Sequence, residues 1–299
     1  MQIRGTEIQD TFAEAFRMWF ARLVITAEDD HWLQAGLQEA TGYATSVIAC
    51  DAEAGVELLL DQTQTPDGRP GAAALFFGFS KEQVAAAVSN RTGQCLMTCP
   101  TLAVFDGLPE APDRIPLGRH IRFFGDGYQK SKRIGSLRYW RIPVMEGEFL
   151  VQDRVGVAKG VGGGNFILQA VDQPAALAAA RRAVEAIAGV PGVITPFPGG
   201  VVRSGSKVGS RYKKLVASTN HAYCPTLAGR VETALHPEAN CAYEIVIDGR
   251  DEPCVAQAMR RGIQAACGPG VVRISAGNYG GKLGKFHFHL HRLLAEAAP

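Results

Sequence analysis

An excess of charge of one sign is missing from this sequence. Lys and Arg total 31 against 29 Asp and Glu, leaving a formal net charge of +2. A dedicated nucleic-acid binder carries a basic excess on one face, so that class is disfavoured, whereas an anionic small-molecule substrate stays open. Apolar runs of the ~20 residues that a membrane helix needs are absent as well. The opening MQIRGTEIQDTFAEAFRMW lacks a charged-then-apolar signal pattern with a small-residue cleavage site. The seven cysteines (50, 95, 99, 224, 241, 254 and 267) are odd in number. Cys95 and Cys99 are close together, without the second pair that a zinc-type site would need. These gaps lead us to expect a cytoplasmic protein with free thiols, most of them core filler.

Signatures of familiar catalytic chemistry are missing too. The chain has no G-x-S-x-G nucleophile elbow, and no cysteine sits in a known nucleophile signature. GVGGGNF and PFPGGV lack the strand–GxGxxG–helix context of a dinucleotide site. There is no aromatic strand of RNP type to suggest a ferredoxin-like RNA binder. What the composition does supply is a core: 46% of residues are hydrophobic and 20% charged, which argues against disorder.

A strand–helix–strand pattern occurs four times. ARLVITA is followed by DDHWLQAGLQEATG, with Asp29 or Asp30 as N-cap and Gly42 at its end, and then by SVIAC. AALFFGF leads into SKEQVAAAVSNRTG, capped by Ser80, and QCLMT. NFILQAV precedes DQPAALAAARRAVEAIAG, where Asp172 caps and Pro174 occupies the first turn, and GVITPF follows. AYEIVID, GRDEPCVAQAMRRGIQAACG and GVVRISA make the last unit. Two such units interleaved in one sheet make a split βαβ sandwich. The expected fold is therefore α+β, with two ferredoxin-like lobes at residues 1–150 and 151–299. Each sheet should have helices on one face, leaving the other for a lobe or subunit.

Near the end the chain reads KFHFHLHR. On a strand, His287, His289 and His291 share one face and Phe286, Phe288 and Leu290 the other. A hydrolytic zinc site needs three protein ligands and an open position, and His31, His120, His221 and His236 belong to no ligand motif. HFHLH therefore reads as a half-buried final strand with a structural or interface role and no bound metal; substrate contact is the other reading.

Glu244 lies in AYEIVID, where alternation puts Tyr243, Ile245 and Ile247 on one face and Ala242, Glu244 and Val246 on the other. A carboxyl between Ala and Val is desolvated, which raises its pKa and suits general acid or base work near neutrality. The alternatives are a cross-strand ion pair, for instance with Arg273, or a polar residue at a sheet edge. Long connections, TPDGRPG, FDGLPEAPDRIPLGRHIRFFGDGYQ and PFPGGVVRSGSKVGSRYKKLVASTNHAYCPT, offer functional loops. In the last, glycines permit close approach to a ligand and Lys207, Arg211, Lys213 and Lys214 can meet carboxylate or phosphate. A solvated loop with ordinary surface lysines fits the same composition.

From GTEIQDTFAEAF to ISAGNYGGKLG the chain resembles the formylmethanofuran–tetrahydromethanopterin formyltransferases. Between those ends lie EATGYATSVIACDAEAG, TPDGRPG, RTGQC, FFGDGYQ, GEF, GGGNF, PFPGGVV, SGSKVGS, ASTNHAYCPT and YEIVI. These strings are long and uncommon, and they cover nearly the whole chain. The resemblance implies two similar α/β-sandwich lobes and a homotetramer with clefts near subunit contacts. It implies formyl transfer between N5 of tetrahydromethanopterin and the amine of methanofuran or an analogue through a ternary complex. Both act as carrier substrates, with no metal or prosthetic group. The family's acid/base glutamate falls in YEIVI, here Glu244. Gly199, Gly200, Ser206, Lys207, Ser218, Thr219, Asn220 and Asn165 are the expected substrate-binding residues, with Lys207 meeting an anionic group. The near-neutral charge, KGVGGGNF and ASTNHAYCPT look like the bacterial, methylotroph-type branch. That branch implies a role in formaldehyde-to-formate metabolism beside hydrolase subunits. A non-catalytic binding or assembly subunit of such a complex is the competing class.

Overall fold

The computed structural model describes residues 1–295 of the chain. It is a mixed α+β fold in two compact units. One comprises Met18–Gly160; the other combines Met1–Arg17 with the chain from Val161 onward. The first 17 residues thus pack with the later part of the chain. A division at residue 150 would have placed them in the first lobe.

In the Met18–Gly160 unit, the part of strand β1 (Phe12–Thr26) from Met18 leads through helix α1 (Asp30–Thr41) to β2 (Glu53–Leu60) and β3 (Gly71–Gly78), and through α2 (Lys81–Arg91) to β4 (Ala103–Asp106). β1 lies between β3 and β4 and pairs antiparallel with each, while β2 pairs with the far side of β3. Asp29 accepts from Trp32 N–H and Ser80 from Gln83 N–H, so both helices start where short polar side chains satisfy free N–H groups. Leu33, Leu37, Val84 and Val88 bury against Leu23, Ile25 and Phe76.

Two expected strands are not strands. SVIAC forms a turn in which Ser46 C=O accepts from Ala49 and Cys50 N–H, and pairing resumes only at Glu53. QCLMT continues the preceding helix as a wide turn over Thr92–Leu96, which buries Leu96. Short apolar runs fit helix and strand alike; for QCLMT the packing of Leu96 and Met97 with Leu33 and Leu37 of α1 decided.

The other unit is built on the part of β5 (Arg154–Ala170) from Val161, α3 (Gln173–Ala188), β6 (Val193–Ile194), β7 (Cys241–Gly249), α4 (Glu252–Ala266) and β8 (Val271–Ser275). Antiparallel pairing gives the order β8–β5–β7–β6. GVITPF contributes only the two residues of β6 before Pro196 intervenes. Asp172 and Asp251 cap the two helices. Ala179, Ala183 and Ile187 of α3 and Ala258, Met259 and Ile263 of α4 pack on Phe166, Leu168, Tyr243, Ile245 and Ile247. A Cβ on Gly262 would stand 2.8 Å from Ile187 Cδ1 and 3.0 Å from Phe166, so this close approach requires glycine. The opposite sheet face carries Asn165, Gln169, Glu244 and Ser275, all buried. It is covered by the excursion between β6 and β7, for example through His236 N–H on Gln169 Oε1 at 2.7 Å.

β9 (Phe286–His289) pairs antiparallel with Phe12–Ala15. The chain turns helical at Leu290, so the strand ends sooner than HFHLH suggests. His287 and His289 are exposed, whereas His291 leaves their face and its Nε2 lies 2.7 Å from the Ile8 carbonyl. Among the described residues no group of three His, Cys, Asp or Glu side chains is placed to hold a metal ion.

Beside this strand Glu14, only 1% exposed, gathers the Asn278–Gly284 loop. Its Oε2 accepts from Tyr279 N–H at 2.7 Å and Gly281 N–H at 2.9 Å. Oε1 accepts from Leu283 N–H at 2.6 Å and from Gly284 N–H. Burial acts to raise this carboxyl's pKa, but the four backbone donors outweigh it and hold the group below its ordinary value.

Candidate functional site

Glu244 is placed by strand alternation. Its neighbours Tyr243, Ile245 and Ile247 face the helices, which turns Glu244 to the opposite face beneath the β6–β7 excursion. Val202 N–H donates to Glu244 C=O at 2.8 Å, and Glu244 N–H to Val202 C=O at 3.3 Å. This bridge brings Ser206 over the carboxyl: its N–H donates to Oε2 and its hydroxyl to Oε1, each at 2.7 Å. Glu244 is 3% exposed. Desolvation pushes its pKa from the ordinary 4.5 to about 7, with the two Ser206 bonds pulling the other way. Arg273, the alternative ion-pair partner, binds Glu7 instead, at 2.9 Å through Nε and 2.8 Å through Nη2. A carboxyl divided between its protonated and ionised forms at neutral pH can both give and take a proton.

Two spaces adjoin it. A cavity of ≈ 30 Å³ is lined by Glu244, Ile167, Asn220, Tyr223 and Cys224. A cleft of ≈ 700 Å³ is lined by Leu177, Phe197, Pro198, Val201 and Thr219. Val202, Arg203, Ser204 and Tyr243 form walls of both.

The structure brings some of the expected residues together and not others. Ser206 holds the Glu244 carboxylate, Asn220 lines the small cavity, and Thr219 lines the cleft while its hydroxyl donates to Ser204 C=O at 3.0 Å. Gly199 and Gly200 form the turn after Pro198 with φ of +61° and +75°. A Cβ on Gly200 would meet Val184 at 2.7 Å. Lys207 Nζ lies 3.2 Å from His221 Nδ1, on a two-residue strand paired with Ser218. The Ser218 hydroxyl donates to Gly209 C=O at 2.7 Å. Asn165 stands apart: its amide donates to Gly163 and Gly277 C=O at 3.0 and 3.2 Å and accepts from Gly277 N–H at 2.6 Å. It thereby shapes the loop after β8.

Tyr223, Ser275 and Arg203 escaped the sequence reading. The Tyr223 and Ser275 hydroxyls lie 3.0 Å apart. Burial pushes the Tyr223 phenol up, the Ser275 bond lowers it, and the Glu244 charge raises it further. Tyr223 sits in ASTNHAYCPT, but a lone tyrosine in a loop has no periodicity to mark it. Arg203, between PFPGGVV and SGSKVGS, was legible as the cation nearest both motifs.

A family model described as formylmethanofuran-tetrahydromethanopterin formyltransferase matches residues 1–144, and one described as "FTR, proximal lobe" matches residues 147–293. A formylmethanofuran–tetrahydromethanopterin formyltransferase from Methylococcus capsulatus is 56% identical over 299 residues, covering 99% of this chain and all of the relative. The enzyme of that name from Methanosarcina barkeri superposes with a TM-score of 0.93 at 48% identity, over 98% of this chain and 100% of that one. A chain of the formyltransferase/hydrolase complex from Methylorubrum extorquens, solved with methylofuran, gives 0.95 at 47% identity over 98% of each chain.

Proposed function

The chain belongs to the formylmethanofuran-tetrahydromethanopterin formyltransferase family, and we propose that it moves a formyl group between N5 of tetrahydromethanopterin and the amine of methanofuran or an analogue. The observation that carries the mechanism is the buried Glu244 carboxyl, with a pKa of about 7, beside a cleft large enough for a carrier. The incoming nitrogen adds to the formyl carbon, a tetrahedral adduct forms, and the departing nitrogen leaves as an amine. Glu244 takes a proton from the first nitrogen and gives one to the second. Holding both carriers in one ternary complex supplies much of the rate. An assay of the purified protein with each formylated carrier and the other carrier as acceptor tests the reading; failure in both directions would leave only the non-catalytic subunit.

Gly199, Gly200, Ser206, Lys207, Ser218, Thr219 and Asn220 border the substrate in this reading, and Asn165 acts through the Gly277 loop. Lys207 meets an anionic group of a carrier. Lys207→Ala should therefore raise KM, more so for the carrier with more negative charge; equal KM values for both carriers before and after the change would return Lys207 to an ordinary surface role.

We further infer two ferredoxin-like lobes. The order β4–β1–β3–β2 in one unit and β8–β5–β7–β6 in the other is that of two interleaved βαβ units, which supports this. A homotetramer that completes its clefts at subunit contacts follows from the same reading, as do hydrolase-complex partners and a cytoplasmic location. Among the described residues no helix is long and apolar enough to cross a membrane. Light scattering should report a tetramer; a fully active monomer at low concentration would count decisively against it.

A further inference from the structure

Opposite Glu244 on the same sheet face stands a polar pair that proton transfer does not use. Ile167 of β5 is in register with Glu244 of β7 on one side and with Ser275 of β8 on the other. The three side chains therefore share one face, and neighbouring strands ~4.8 Å apart place the Glu244 and Ser275 backbones ~10 Å from each other. Ile167 forms the apolar floor between them. Tyr223, on the His221–Tyr223 turn, reaches over that floor to Ser275 Oγ at 3.0 Å and lines the small cavity with Glu244.

Two hydroxyls in one hydrogen bond have two protons between them. One is shared inside the pair, and the accepting hydroxyl keeps its own proton to donate elsewhere. The phenol stays protonated at neutral pH, because burial pushes its pKa up. The cavity beside it measures ≈ 30 Å³. A single water requires ~10–15 Å³, so the space has room for a small group such as a formyl. The adjoining cleft of ≈ 700 Å³ can take that larger part.

We propose that the small cavity receives the formyl group itself, and that the Tyr223–Ser275 hydroxyl pair donates to its carbonyl oxygen. This rests on the formyl-transfer reading above. As the incoming nitrogen bonds to the formyl carbon, the C=O π pair moves onto oxygen, which the hydroxyl stabilises without surrendering its proton. Collapse of the adduct restores C=O and breaks the bond to the departing nitrogen. That nitrogen gains a proton and the incoming one loses a proton, both through Glu244, so the hydroxyl pair returns unchanged. Tyr223 is then a catalytic residue, and Ser275 the residue that positions it.

Steady-state kinetics of Tyr223→Phe, Ser275→Ala and the double variant test the assignment, with melting temperature as a check on folding. Tyr223→Phe should lower kcat by about 10²-fold, the scale of one lost oxyanion donor. KM for both carriers should stay within about threefold, and the Glu244 titration near neutrality should persist in the pH profile. Ser275→Ala should lower kcat less, and the double variant should be no worse than Tyr223→Phe, since paired groups act as a unit. Near-native kcat in Tyr223→Phe, a loss confined to KM, or fully additive losses would overturn the proposal. Should Tyr223→Phe not fold, unchanged kcat in Ser275→Ala overturns it alone. The wild-type assay separates the two levels: a native enzyme inactive with both carriers sinks the formyl-transfer reading, whereas an active one with an indifferent Tyr223 sinks only this assignment.

Discussion

Glu244→Gln should give a folded protein that still binds both carriers but turns over ~10²–10⁴-fold more slowly, the usual cost of losing a general acid or base. Glutamine keeps the shape, and its carbonyl still accepts from Ser206, but it exchanges no proton. In the wild type the rate should follow a titration near pH 7, where burial places the carboxyl; in the variant that dependence should vanish. Near-native turnover across the profile would make Glu244 structural. Stability should move in the opposite direction to activity. The folded carboxyl has a pKa above its unfolded value, so the folded state holds the extra proton between pH 4.5 and about 7. Wild-type stability therefore falls as pH rises through that window. The cost at higher pH is on the order of 3 kcal/mol, at 1.36 kcal/mol per pKa unit. Glutamine, neutral throughout, escapes this cost. The variant should melt above the wild type at pH 8, with the gap closing towards pH 4, and a gap that ignores pH would refute the desolvation account.

Glu14→Gln should produce the largest loss of stability, about 3 kcal/mol or more, because hydrogen bonds to a charged group contribute ~1.5–3 kcal/mol each and cannot be replaced singly. A glutamine turns an NH2 donor towards N–H groups that in the wild type meet an acceptor oxygen: Leu283 and Gly284 on one side or Tyr279 and Gly281 on the other. Hydrogen exchange should show those amides losing protection while the α3 and α4 amides keep theirs. Glu14 in its collar has a lowered pKa, so its contribution is complete above the ordinary glutamate range and disappears as pH falls through the folded value. The wild type should lose this increment on the acid side, and the variant should show no such step. Protected loop amides in Glu14→Gln would mean that the loop is held by other contacts.

Local physics was readable in the sequence by itself. Ser80 and Asp172 cap their helices as expected, and Asp29 does so from the expected pair Asp29 and Asp30, because an N-cap depends on residues three positions away. The alternation in AYEIVID placed Glu244 opposite the helix-packed face, because a strand's period is a property of the backbone. The family strings likewise marked the loops that carry Ser206 and Asn220. SVIAC and QCLMT were misread because a five-residue apolar run suits a turn, a helix or a strand, and only packing chooses.

The tertiary structure decided what depends on partners far along the chain. Glu14 looks like any alternating strand residue until the loop after β8 folds back and presents four N–H groups to it. Arg273 was a plausible partner for Glu244, and the parallel pairing of β8 with the short strand Thr6–Ile8 gave it to Glu7. The Tyr223–Ser275 pair exists only because β8 and β7 flank the same strand beneath one loop. Secondary structure follows from interactions within a few residues. Desolvation and hydrogen-bond pairing follow from which surfaces meet, and that is settled only when the sheet order is.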